Sequence, residues 1–491
     1  MKQRQKSFLF LFVCLGLGIL AELSFFHGVI GISYVLFIAA FYAILFSRLG
    51  IKFSHRRIGL LLMIMIWVLA ASYLFYDNEV FYELNMLVIP VLVFTHIVLI
   101  TTPNNIDWIS VLFVKQWTQK FTQTFGYGKR WVKFVLKRTI FRRMSKAATQ
   151  TLKRIVIGLL LGGPLLIVIV GLLISADANF GNVVMEVPKF ILGGLNFLEG
   201  LFRVIAVIFL TLLFFSAFQT LRKRYVIPLG RPTNDYKQVS WDGGVIAGTI
   251  LVLLNSIYLL FAVIQFKYFF GGEAIQGDLT YAEYARRGFF ELVIVTVINW
   301  SLLLICLKLV NVKRKSGSFF MKIMYSLLIV TSGGVMLTSA YMRLSMYENA
   351  YGFTMDRIFA HTFMIFLIVI FAYTFIRVWL ERISISHFYL IIGLIFYTTL
   401  NAINLEEIIV ENNLERYQET GKIDIHYLDS LSYSGIDGLI TLYEMEADYP
   451  ELRSLLQDRK QMIDNLDVDT WQSFNFKKQQ VVERLKELEM K

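Results

Sequence analysis

Cysteine is almost absent: Cys14 and Cys306 are the only two in 491 residues, and both lie inside apolar runs. That excludes a disulfide framework and a four-ligand thiolate zinc site. Charge is scarce as well, at 17% of residues, where soluble domains carry roughly 25%. A soluble enzyme and a disordered tail are thereby excluded. The six histidines, His27, His55, His96, His361, His387 and His426, form no HExxH or other close metal pair. There is no GxSxG elbow, no P-loop and no GxGxxG opening a helix after a strand. No cofactor, metal ligand or catalytic residue is expected, although a site assembled from distant helices needs no contiguous motif.

What the chain has in excess is apolar sequence, 56% of its residues. It falls into runs of about 18 to 24, enough to cross a hydrocarbon core of about 30 Å as helix. The runs do not alternate, which excludes a porin-type barrel. The expected fold is all-α, a polytopic transmembrane bundle of eleven helices with a small helical C-terminal domain. The runs cover 7–21, 29–46, 58–76, 80–100, 155–175, 198–219, 244–265, 288–309, 320–342, 358–379 and 387–404. Pro90 and the Gly162-Gly163-Pro164 sequence predict kinks. The small residues of Thr331 to Ser339 would let neighbouring backbones approach closely.

Charge sets the expected topology. Residues 113–154 hold twelve Lys or Arg and no Asp or Glu. By the positive-inside rule this stretch is cytoplasmic, and its interleaved aromatics (Trp117, Phe121, Phe125, Trp131) favour an amphipathic segment on anionic lipid headgroups over stacking on nucleic acid. After Leu405 the balance inverts, with 19 acidic and 10 basic residues. Eleven spans place the N-terminus in the cytoplasm and this acidic segment outside a plasma membrane. The expected division is 1–112, four spans; 113–154, the basic loop; 155–404, a seven-span core; and 405–491, an acidic helical domain anchored by Trp471 and Phe474. Its helical patterning (Ile423, Tyr427, Leu428 and Leu431; Ile436, Leu439, Ile440 and Tyr443) argues for order.

Four stretches, Ser175 to Phe180, Tyr281 to Glu291, Arg343 to Arg357 and Asn401 to Tyr427, resemble a bacterial family of integral membrane proteins known as domain of unknown function 4173 (DUF4173), related to DUF4153. The resemblance implies a shared helical membrane architecture and assigns no activity. By the expected topology all four stretches fall at outer helix ends. Asp177, Asn179, Glu283, Arg286, Arg287, Glu291, Arg343, Tyr347, Glu348, Asp356, Arg357, Asn401, Asn404 and Glu406 would therefore gather at one membrane face. Such a cluster is either structural ion pairing or a site for a small ligand, an ion or an envelope partner. At least one close interhelical ion pair is expected among Glu283, Arg286, Glu291, Arg343, Glu348 and Arg357. The resulting expectation is a sensing, binding or regulatory membrane protein. A transporter of a small solute or ion is the first alternative and an enzyme of lipid or envelope chemistry the second.

Overall fold

The computed structural model describes residues 2–50, 54–139, 195–222, 244–270, 289–310, 315–465 and 470–489, with scattered positions between 151 and 173. Among the described residues the chain is helical and has no strand. In chain order the helices are α1 (Lys2–Phe25), α2 (Ile32–Leu49), α3 (Arg56–Phe75), α4 (Glu79–Thr101), α5 (Val111–Thr139), α6 (Leu195–Arg222), α7 (Gly244–Phe270), α8 (Phe289–Leu309), α9 (Lys315–Ile329), α10 (Leu337–Tyr351), α11 (Met355–Trp379) and α12 (Ile385–Ala402). They continue as α13 (Leu405–Thr420), α14 (Ile425–Ser430), α15 (Tyr433–Met445), α16 (Leu452–Asn465) and α17 (Phe476–Glu487).

Eight stretches of the described residues are long and apolar enough to cross a membrane: Arg56–Phe75, Glu79–Thr101, Glu199–Leu221, Gly244–Gln265, Phe289–Leu309, Ser316–Tyr351, Met355–Trp379 and Ile385–Ala402. Two shorter apolar helices, Leu9–Phe25 and Ile32–Arg48, match the first two runs. Most of the run 155–175, with Gly163 and Pro164 of its expected kink, lies outside the described residues. The bundle is apolar on its outside too. Phe202, Ile205 and Phe209 on α6, and Leu253, Ile257 and Leu260 on α7, are more than half exposed. Water would penalise such belts by about 25 cal/mol per Å², whereas lipid does not, and the helices satisfy their own backbone polar groups.

The chain divides into two compact units. The first comprises Met1–Leu74, Ile89–Tyr225 and Asp469–Phe474. Here α1 packs along α6 and α2, with Phe37, Phe41, Phe214 and Phe218 in an aromatic ladder. The basic stretch is a single helix, α5, through Thr139, and it packs on α6. Trp117 donates to Thr95, and the buried Lys120 donates to Thr101 at 2.6 Å. Burial lowers the Lys120 pKa to about 8. Residues 470–474 cap the start of α2: Gly31 and Ile32 donate their N–H groups to the carbonyls of Gln472 and Phe474. A Cβ on Gly31 would stand 2.3 Å from the Phe474 oxygen, so only glycine fits there. Trp471 and Phe474, expected as buried anchors, are 49% and 37% exposed. The anchoring is done by their segment's backbone, a role that side-chain size does not reveal.

The second unit comprises Phe75–Val88, Val226–Val468 and Asn475–Lys491. The expected span 320–342 is part of a longer helical rod, Ser316–Tyr351, interrupted by a π-helical turn at Val330–Met336. The small residues do allow close approach: a Cβ on Gly333 would meet Phe371 of α11 at 3.2 Å. Asn299 of α8 donates to Ser332 in the π turn and accepts from Tyr258 of α7.

After residue 404, the helices α13, α14 and α17 each start on a capping side chain that takes up a backbone N–H of the first turn. Asn404 accepts the Glu407 N–H through its side-chain oxygen and donates its side-chain amide to the Glu407 carboxylate. Asp424 and Asn475 cap α14 and α17. Ile409, Leu428, Leu439, Leu442, Leu456 and Val481 form a core against which Phe353, Met355 and Ile358, at the start of α11, also pack. Around it, Lys477 bridges Glu407 and Asp437, Arg484 bridges Asp437 and Glu444, and Arg459 pairs with Asp429.

Candidate functional site

Of the expected polar cluster, Asp177, Asn179, Glu283, Arg286 and Arg287 lie outside the described residues. The other nine belong to the second unit and separate into distinct settings. Glu291 is alone among them, exposed in the first turn of α8. An acidic residue in the first turn of α8 complements the helix dipole.

Asn401 is buried in a closed network. Asn85 donates to Asn401 and accepts from Tyr397, while Asn401 donates to the Tyr397 carbonyl. These groups satisfy one another and hold α4 to α12. Asn404 is occupied as the cap of α13. Arg357 lies over the Tyr347 ring at 4.3 Å and donates to the Gly352 carbonyl. Gly352 adopts a positive φ of 87°, with Asn413 closing the same turn through hydrogen bonds to Phe353. Arg343 is half-buried on α10.

Glu348 is buried, and its carboxylate accepts from His361 Nε2 across α10 and α11 at 2.7 Å. Among the six residues expected to supply an interhelical pair, Glu348 thus finds its partner outside the set. His361 sits in an apolar run of the sequence. Its ring meets Tyr341 edge-on at 4.4 Å. Glu348 Oε1 and His361 Nδ1 have no hydrogen-bond partner among the described residues. His96, buried in the first unit, bonds Tyr42 through Nδ1 at 2.9 Å, while its Nε2 has no hydrogen-bond partner among the described residues.

Asp356 and Glu406 meet at a pocket. A cavity of about 250 Å³ opens between the start of α4, the start of α11 and the α13–α14 region. Among the described residues, Glu79, Thr354, Asp356, Glu406, Tyr427, Ser430 and Ser432 supply its polar lining, which includes three carboxyl groups and no basic residue. Glu406 is 3% exposed and accepts from both the N–H and the hydroxyl of Ser432. The Ser432 hydroxyl also reaches the Asp77 carbonyl. One hydroxyl proton cannot serve two acceptors. If Glu406 is protonated it donates to Ser432, which then donates to Asp77, and every contact is satisfied.

The electrostatics favour that state. Burial raises the Glu406 pKa from 4.5 to about 7 against the opposing Ser432 hydrogen bond, and Asp77 adds to the rise. Asp77 is itself raised, by burial first and by Glu79 third, with Lys478 opposing. Tyr427 is raised by burial, and its oxygen accepts the Met355 N–H at 2.8 Å. Asp77, Glu79 and Ser432 were not among the residues expected in the cluster, although Asp77 and Glu79 lie together in the short turn from α3 to α4. The turn's two acids were visible in the sequence; Ser432 had no local signal, because its partners are 26 and 355 residues away. Among the described residues no group of three or more His, Cys, Asp or Glu is placed to hold a metal ion.

No curated protein and no solved structure matches the chain. The family model described as "Domain of unknown function (DUF4153)" matches residues 63–442, a region that holds every described member of the cluster and the whole pocket lining. That match covers more than three quarters of the sequence, and the chain belongs to the DUF4153 family.

Proposed function

We propose that this protein is a multi-pass plasma-membrane protein of a bacterium that binds a cationic organic group in an outward-facing pocket and thereby senses or regulates. The acidic pocket at Glu79, Asp356 and Glu406 carries the reading, because three carboxyl groups without a lining cation favour a positively charged guest. The acid-free stretch before residue 155 supports a cytoplasmic N-terminus, and the eleven spans then put residues 405–491 outside as an acidic domain. Exposed Lys115, Lys129, Arg130 and Lys133 on α5, beside exposed Phe121 and Phe125, suit anionic headgroups of the inner leaflet. The narrower kinship to DUF4173 rests on the stretches that surround the pocket.

An alkylamine series from methylamine to spermidine, titrated calorimetrically into protein in zwitterionic nanodiscs, tests this. Saturable binding at pH 8 that is lost in Glu79→Gln/Asp356→Asn is expected. No saturable binding across the series, or identical binding in the variant, would refute it. The hydrogen-bonded Tyr258–Asn299–Ser332 group beside a π turn favours a second reading, a transporter. Time-dependent uptake of a bound amine into proteoliposomes would select that reading.

A further inference from the structure

The other end of α11 has a cavity unlike the acidic one. It encloses about 360 Å³, within the range of roughly 300–1,000 Å³ typical of small-ligand sites. We propose that this cavity binds a phosphate group, carried either by a lipid headgroup or by a soluble phosphate compound.

Two cations line it, Lys322 two turns into α9 and Arg377 in the last turn of α11. Among the described residues Glu381 is the only carboxylate in the lining, and Lys322 engages it at 2.9 Å. Arg377 has neither a hydrogen-bond nor an ion-pair partner among the described residues. Its field still reaches Glu381, whose pKa is lowered by the Lys322 hydrogen bond and charge and also by Arg377. The lining therefore keeps one surplus positive charge and an uncommitted guanidinium whose forked donors match two phosphate oxygens. Ser318 adds a hydroxyl at the mouth.

The position selects the ligand class. Phe319 and Trp379 meet edge-on at 6.3 Å and are both exposed, at the level where these apolar helices end. Such aromatics sit at the height of headgroups. In sequence, Lys313, Arg314 and Lys315 lead into α9. Basic pockets between span ends at this depth meet anionic lipid, and Leu307, Val310 and Met321 supply apolar walls for the glycerol side of such a molecule.

Native mass spectrometry of the full-length protein released from mixed phosphatidylcholine and phosphatidylglycerol nanodiscs tests the lipid source. Calorimetry with inorganic phosphate in phosphatidylcholine-only nanodiscs tests the soluble one. Arg377→Gln leaves the Lys322–Glu381 bridge intact, and Ser318→Trp fills the cavity without touching any charge. Retained phosphatidylglycerol in the wild type that falls about tenfold in both variants identifies a lipid site. Phosphate binding lost in both variants identifies a soluble phosphate ligand. If the wild type binds neither probe, or if both variants bind as it does, the proposal is overturned.

Discussion

At the scale of single residues, protonation is the decisive property. Glu406 has a folded pKa raised to about 7 from 4.5. Its contribution to stability is therefore fully present below about pH 4.5 and is lost as pH rises through 7, since the native state binds the extra proton in that window. The shift corresponds to roughly 3 kcal/mol. Thermal melts from pH 4.5 to 8 should show this loss in the wild type, and Glu406→Gln, which keeps a hydrogen-bond donor, should flatten the curve. An equal slope in the variant would show that Glu406 does not carry the effect. Glu348 gives a second prediction. Removing its partner by His361→Ala leaves a buried carboxylate unpaired, at a cost of about 3–5 kcal/mol, and Glu348→Gln should cost much less in the same denaturation assay. Glu348 and Glu406 were legible in the sequence as polar residues at span ends. Their partners His361 and Ser432 were not, because pairing across helices depends on packing that no local pattern encodes.

At the scale of elements, hydropathy was informative and local chemistry less so. The runs at 58–76, 80–100, 198–219, 244–265, 288–309, 358–379 and 387–404 correspond to helices of membrane length, since a helix in lipid has no alternative to a continuous apolar sequence. The run at 320–342 was underestimated. Arg343, Ser345 and Glu348 mark a polar end by composition, yet the helix continues to Tyr351, since Glu348 is buried against His361 and need not be solvated. The capping segment 470–474 was read by its large side chains and works instead by its carbonyls. Gly31→Ala would drive a methyl group into the Phe474 carbonyl and should cost about 1–3 kcal/mol. The checkable signature is faster amide exchange at Gly31 and Ile32, whose N–H groups are held by residues 472 and 474. Unchanged protection there would mean that the segment is not held by these bonds.

At the scale of the whole molecule, the sign of charge along the chain and the acidic pocket lead to one physical picture. Cations concentrate in the acid-free stretch before residue 155, while the carboxyl groups of Glu79, Asp356 and Glu406 line a pocket at the start of the C-terminal helices. An acidic pocket can sense external protons or amines only if it faces out, so orientation is the claim on which the functional reading depends. Both native cysteines are buried, so a single new thiol at the exposed Glu419 can be followed with little background. Intact cells expressing Glu419→Cys should be labelled by a membrane-impermeant maleimide without permeabilisation. Labelling that appears only after the membrane is opened would put the acidic helices in the cytoplasm and contradict the outward-facing pocket.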